Sequence, residues 1–185
     1  AEDMEIYRVR LNGIDISYNH QGDKVFLSLN KPIGWDDTVK VRLDYTAHPR
    51  RGTFFIKPDS VYPEKPWQAW TQGEDTDNHH WVPIYDYPND KATFETILTV
   101  DKKFMAISNG ELMSLKENKD GTHTWHWHEH FPMVSYLISF VIGDFRRVED
   151  SYGDLSIGYW VTPEYDDADA LRSFDRTPEI VAFFN

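Results

Sequence analysis

Apolar residues in the first half of the chain recur at every second position. Tyr7, Val9 and Leu11 alternate with Arg8 and Arg10, and Ile14, Ile16 and Tyr18 alternate with Asp15 and Ser17. Val25, Leu27 and Leu29 repeat the pattern, as do Val39, Val41, Leu43 and Tyr45. A period of two places each set on one face of a half-buried strand. The intervening residues are turn formers: Asn12-Gly13, Gln21-Gly22-Asp23, 32–37 and 49–52. A further short strand is predicted over 53–56.

The segment 58–90 breaks this rhythm. It carries Pro58, Pro63, Pro66, Pro83 and Pro88 among Trp67, Trp70, Trp81, Tyr85 and Tyr87, and no period runs through it. It reads as a long ordered connection pinned by rings and prolines, a kind of segment that is usually functional or interface-forming. Alternation then resumes, predicting strands over 94–100, 104–107, 111–117 and 122–129, with Asn118-Lys119-Asp120-Gly121 as a hairpin turn. Residues 134–142 are apolar almost throughout and predict one central strand. Leu155, Ile157, Tyr159 and Val161 alternate around Gly158. Near the end the spacing changes to three and four: Leu171, Phe174, Pro178, Val181 and Phe184 trace a helix face. Pro178 kinks that helix or opens a second one behind Thr177. The final Ala182-Phe183-Phe184-Asn185 has no C-cap glycine and reads as a cut inside a helix that continues. The pattern as a whole predicts a mainly antiparallel β fold with a short C-terminal helix.

Composition narrows the function classes. A length of 185 residues bounds the chain to one domain, with or without an ornament. With 31 acidic against 19 basic residues the net charge is −12, which argues against a general nucleic-acid binder. Cysteine is absent, which excludes a disulfide framework, Cys-ligated zinc and a thiol nucleophile. The start Ala1-Glu2-Asp3 lacks the features of a signal peptide. The longest apolar-rich run, 133–143, is too short to span a bilayer. The compartment stays open between cytoplasmic and exported.

Four groups of residues bear on chemistry. His126, His128 and His130 lie at i, i+2, i+4 around Trp125 and Trp127, so on a strand they share one face. They form either a metal pair or trio on a β scaffold or the polar face of a hairpin whose tryptophans point inward. The string His128-Glu129-His130-Phe131-Pro132 begins like H-E-x-x-H, but its second histidine arrives too early and the alternation is that of a strand, so the helical zinc motif is excluded. His79 and His80, with Asp75, Asp77 and Asp86, form either a metal or acid–base cluster or a polar turn under Trp81. Gln72 and Glu74, in Trp70-Thr71-Gln72-Gly73-Glu74, offer an amide and a carboxylate that together can hold an ammonium group; the alternative is a strand-end pair making local backbone bonds. Asp36-Asp37 and Asp166-Asp167 suit a turn and a helix start. No nucleophile or phosphate-loop motif is present.

Trp70 to Glu74, followed by His79-His80-Trp81-Val82-Pro83-Ile84-Tyr85-Asp86-Tyr87-Pro88-Asn89-Asp90-Lys91-Ala92-Thr93-Phe94, resembles the amino-terminal domain of the aminopeptidase N family of zinc metallopeptidases, whose fold leukotriene-hydrolase relatives share. The family pattern is T-Q-x-E, a basic pair, then P-x-x-D-x-P-x-x-K-x-x-F. Ser108-Asn109-Gly110, Trp127, Pro132-Met133, Tyr136-Leu137 and Gly143-Asp144-Phe145 follow in the family's order. The resemblance covers about residues 65–145 and departs from the pattern at His79-His80, where relatives carry basic residues.

It implies a saddle-like β-sandwich domain over 1–165, short of the family's usual first strands unless Ala1 starts mid-sheet, and a segment 166–185 that starts a helical link to an absent thermolysin-like catalytic domain. It implies a parent that removes N-terminal residues from peptides. Zinc belongs to the parent; G-A-M-E-N and H-E-x-x-H do not occur in this chain, which by itself carries no catalytic residue, cofactor or metal and is expected to be inert. Carried over position by position, Glu74 would bind the free α-amine of a peptide and Gln72 would contact its first residue. The other reading is a non-catalytic β-sheet binding or scaffold module derived from that domain. An exposed apolar surface near 58–90 and the last helix is expected on the first reading.

Overall fold

The structure, a computed structural model, describes residues 4–184. The acidic start at residues 1–3 and the closing Asn185 lie outside the described residues.

The first alternating run becomes β1 (Met4–Leu11), which turns at Asn12-Gly13 into β2 (Ile14–Asp15) and pairs along its other edge with β5 (Val41–Ala47). A register shift between Ile6 and Arg8 changes which residues face inward. Met4, Ile6 and Val9 are buried while Tyr7 is exposed, so Tyr7 does not share a face with Val9 as predicted. A bulge inserts one residue and flips the parity of everything beyond it. The stretch 14–18 also divides: β3 (Tyr18–Gln21) forms a separate hairpin with β4 (Lys24–Leu27). Tyr18, Val25, Leu27, Leu43 and Tyr45 pack on Met4, Ile6 and Val9 as one core. The Tyr18 hydroxyl donates to the Ile6 carbonyl at 2.5 Å and locks the hairpin onto β1.

Two further sheets carry the middle of the chain. β8 (Lys91–Asp101), β10 (Glu111–Glu117) and β11 (Thr122–Val134) pair in the order β10-β11-β8. The predicted turn at 118–121 joins β10 to β11, with the Asn118 N–H donating to the Thr122 carbonyl at 2.9 Å. β6 (Thr53–Ile56), β7 (Gln68–Thr71), β12 (Phe140–Gly143) and β9 (Met105–Ser108) form a four-stranded sheet in the order β6-β7-β12-β9. The segment 58–90 therefore contains a strand, β7, and a 3-10 turn at Asp77–His80 that alternation did not reveal.

The predicted single strand over 134–142 is not formed. β11 ends at Val134, a 3-10 turn occupies Ser135–Leu137, and β12 begins at Phe140. Side chains rather than a ladder satisfy this backbone: Asn78 Nδ2 donates to the carbonyls of Ser135 and Ile138, and Asn109 Oδ1 accepts from the Ser139 N–H. Buried backbone groups need partners, and these partners are compatible only with a turn.

β13 (Arg146–Tyr152) and β14 (Leu155–Val161) form a hairpin against which the C-terminal segment packs. That segment is two short helices, α1 (Asp167–Phe174) and α2 (Thr177–Phe184), separated at Asp175-Arg176. Asp166 caps α1, its side chain accepting from the Asp169 N–H at 2.8 Å. Pro178 is the second residue of α2, in the first turn, where its missing N–H breaks no helical bond. Ala170 seals the core formed by Val148 and Tyr159. Every strand pairing among the described residues is antiparallel, as the pattern predicted. Among the described residues no helix is long and apolar enough to cross a membrane.

Candidate functional site

Where β7 ends at Thr71, the chain leaves the sheet as Gln72-Gly73-Glu74. The Gln72 N–H donates to the Gly52 carbonyl at 2.9 Å, and the Gly73 carbonyl accepts from the Asp77 N–H at 2.8 Å. Gly73 is buried, while Gln72 and Glu74 on either side are exposed. A Cβ at position 73 would stand 2.5 Å from Nδ2 and from Oδ1 of Asn78, and 2.5 Å from the Tyr136 carbonyl oxygen. Only glycine admits so close an approach. Gly52 is similarly constrained: its φ is +75°, and a Cβ there would sit 2.1 Å from the Asp77 carbonyl oxygen. The Glu74–Asp75 peptide bond is cis.

Beneath this loop lies a buried polar network. Asn78 is fully buried; its Nδ2 donates to the Ser135 carbonyl at 2.7 Å and the Ile138 carbonyl at 2.9 Å, and its Oδ1 accepts from Trp81 Nε1 at 2.8 Å. Asp86 is also buried, accepting from the Ser135 hydroxyl at 2.6 Å and from the His79 N–H at 2.9 Å. Tyr45 of β5 donates to the Trp81 carbonyl at 3.1 Å and so ties the network to the first sheet. Ring packing completes the frame: Phe54 stacks on Trp70 at 4.5 Å, and Trp81 meets Phe140 edge-on at 5.3 Å.

The acidic and histidine residues of this segment are shared out among different partners. His79 Nδ1 lies 3.4 Å from Asp86, whereas His80 Nε2 lies 3.8 Å from Asp77, which also pairs with Arg51 at 3.1 Å. Burial, and next the neighbouring His79, holds the His80 imidazole below the ordinary histidine range, against the pull of Asp77. Asp75 is exposed. On the face of β11, His126 pairs with Glu95 at 2.5 Å, His130 lies 3.8 Å from Glu111, and the His128 and His130 rings are 3.9 Å apart. The opposite face carries Trp127, buried, with Nε1 donating to the Ala106 carbonyl at 3.0 Å. Among the described residues, no group of three or more His, Asp or Glu side chains is placed to hold a metal ion.

Sequence reasoning singled out Gln72, Glu74, His79 and Asp86 but missed Asn78 and Ser135. The available signal was an amide and a hydroxyl in stretches with no ladder partner, where buried backbone must be served by side chains. Apolar surface is exposed where it was expected. Phe55 and Trp67 border a hollow of about 270 Å³ that Phe104 and Ile142 also line, and Ile180, Phe183 and Phe184 of α2 are exposed.

Residues 4–137 match the Peptidase M1 N-terminal domain, and the chain belongs to that family. Among curated proteins, mouse (Mus musculus) aminopeptidase B is 25% identical over 132 residues, which are 71% of this chain and 20% of that protein. Aminopeptidase 2 of Candida albicans is 25% identical over 170 residues, 87% of this chain and 18% of that protein. The chain thus spans a fifth or less of the length of these relatives. Among solved structures, an M1 zinc metallopeptidase variant from Deinococcus radiodurans bound to a Tyr-Ser-Ala substrate matches with a TM-score of 0.70 at 20% identity, covering 94% of this chain and 43% of that one. A two-domain M1 zinc metallopeptidase variant bound to L-arginine matches with a TM-score of 0.69 at 20% identity, covering 84% of this chain and 36% of that one. At that identity the likeness is one of fold.

Proposed function

We propose that this chain is the substrate-anchoring domain of a zinc-dependent aminopeptidase, with Glu74 binding the free α-ammonium of a peptide and Gln72 contacting its first residue. The observation that carries this reading is the clamped, buried Gly73 flanked by an exposed carboxylate and an exposed amide. A carboxylate makes charge-assisted hydrogen bonds to an ammonium group, and an amide can both donate and accept beside it. Because the backbone between them is fixed, little order remains to be imposed when a ligand binds. An amine held at one point sets the register of cleavage, since only a bond at a fixed distance from it reaches the reacting groups. The aminopeptidase names of the curated relatives support the reading, as do the tripeptide and amino acid bound to the structural neighbours.

On this proposal, 1–165 form the β domain and 166–185 lead toward a catalytic domain that covers the exposed Phe55, Trp67, Phe183 and Phe184. Among the described residues, no three His, Asp or Glu side chains come together as a zinc site requires; His79, His80 and His126 instead lie against Asp86, Asp77 and Glu95 respectively. No bond-breaking step is therefore assigned to them; zinc chemistry belongs to the proposed catalytic domain. This chain's residues bind and orient.

The test is Glu74→Gln in the intact peptidase. Losing one charged hydrogen bond should lower kcat/KM for free-amine substrates about ten- to a hundredfold. The melting temperature should not change, because Glu74 is exposed. Unchanged kinetics would reject the anchor and favour a scaffold module.

A further inference from the structure

We infer that Asn78 is the positioning residue of the proposed anchor, setting the height of Gly73 and through it the reach of Glu74; this rests on the function proposed above. After Thr71 the loop has left the ladder, and the bonds from Gln72 to Gly52 and from Asp77 to Gly73 support it at its two ends. These bonds, with Arg51 on Asp77 as a further tie, hold the two ends of residues 72–77 and leave the stretch between them to be supported from below. The support between them is the Asn78 amide, packed against Gly73 together with the Tyr136 carbonyl.

Asn78 is itself held at both ends of its amide. Both Nδ2 bonds run to the 135–138 turn, and Oδ1 takes the Trp81 indole N–H. The turn is anchored in its own right, by Asp86 on the Ser135 hydroxyl and by Asn109 on the Ser139 N–H. A rigid chain of contacts therefore runs from Asn109 through the 135–139 backbone and Asn78 to Gly73. Asn78 is fully buried, so it touches no substrate and acts through the loop. An aspartate at this position would keep the volume and the acceptor for Trp81 but face two carbonyl oxygens with no donor. The turn and the amide would then separate, and Gly73 would lose its seat. Misplacement of a binding group by about 1 Å is enough to cost a large factor in rate.

The experiment is a double-mutant cycle in the intact peptidase: wild type, Glu74→Gln, Asn78→Asp and the double variant, each with KM, kcat and melting temperature on a free-amine aminoacyl substrate. Tyr18→Phe serves as a control, because it removes a stabilising bond to the Ile6 carbonyl in the first-sheet core, outside the chain of contacts that reaches Gly73. Asn78→Asp should raise KM about tenfold, and that effect should shrink to within about twofold in the Glu74→Gln background. Tyr18→Phe should lower the melting temperature and leave KM in place. An Asn78 effect of equal size in both backgrounds, or a wild-type KM in Asn78→Asp, overturns the inference. Asn78→Ala, which removes the contact without adding charge, carries the same cycle if the aspartate variant does not fold. A wild-type KM in Glu74→Gln alone rejects the functional proposal itself and the inference with it.

Discussion

The side-chain amide of Asn78 lies against the α-carbon of Gly73, leaving no room there for a methyl group: a Cβ would meet Nδ2, Oδ1 and the Tyr136 carbonyl oxygen, each at 2.5 Å. One of those neighbours is backbone and the other two belong to a side chain hydrogen-bonded at both ends of its amide, so none can step aside cheaply. Gly73→Ala is therefore expected to destabilise the fold by about 1–3 kcal/mol, the usual range for forcing extra volume into a packed site. Urea unfolding should show a lower midpoint at an unchanged slope. A midpoint equal to that of the wild type would mean that the loop moves freely.

His80 should make stability depend on pH near neutrality. Burial and then His79 lower its folded-state value, with Arg51 adding to the effect and Asp77 opposing it. A proton thus binds the unfolded chain more readily than the folded one. The contribution is full above the ordinary histidine value of about 6.5 and is lost as the pH falls through the lower folded value. His80→Gln should lose less stability than the wild type between about pH 7.5 and about pH 5.5. Parallel pH profiles for the two proteins would contradict this.

Adjacent residues on β11 should differ sharply. Trp127→Phe strips the Ala106 carbonyl of a buried donor and is expected to cost about 1–3 kcal/mol. His126→Ala removes a surface pair with Glu95 and should change stability by no more than about 1 kcal/mol. Thermal unfolding of both variants checks the contrast, and similar shifts for the two would show that the inward and outward faces are misassigned.

Chelator treatment should leave the folded chain unaffected. The described residues place no group of three ligands together, so EDTA should not move the melting temperature. Titration with zinc should likewise show no tight one-per-chain binding. Saturable zinc binding lost on His128→Ala would point instead to the β11 histidines.

Much of this architecture is legible along the chain because strand alternation and turn chemistry are local. The hairpins at 21–24 and 118–121 follow from their turn residues, and the inward Trp127 beside the outward His126 follows from a period of two. Gln72 and Glu74 were legible as a chemical pair for the same reason, standing two residues apart in one short string.

Periodicity could not show which backbone groups would find partners far away. Residues 134–142 look like one strand until Asn78, 57 positions from Ser135, takes up two of their carbonyls and folds them into a turn. Tyr7 alternates correctly with Val9 until a bulge shifts the register on β5. By itself, then, the sequence determined the antiparallel β character, the turns and the chemical identity of the proposed anchor pair. The tertiary structure alone decided how that pair is held, because a buried polar group must be satisfied by whatever the fold brings beside it, and for Gly73 that neighbour is a side chain no local pattern announces.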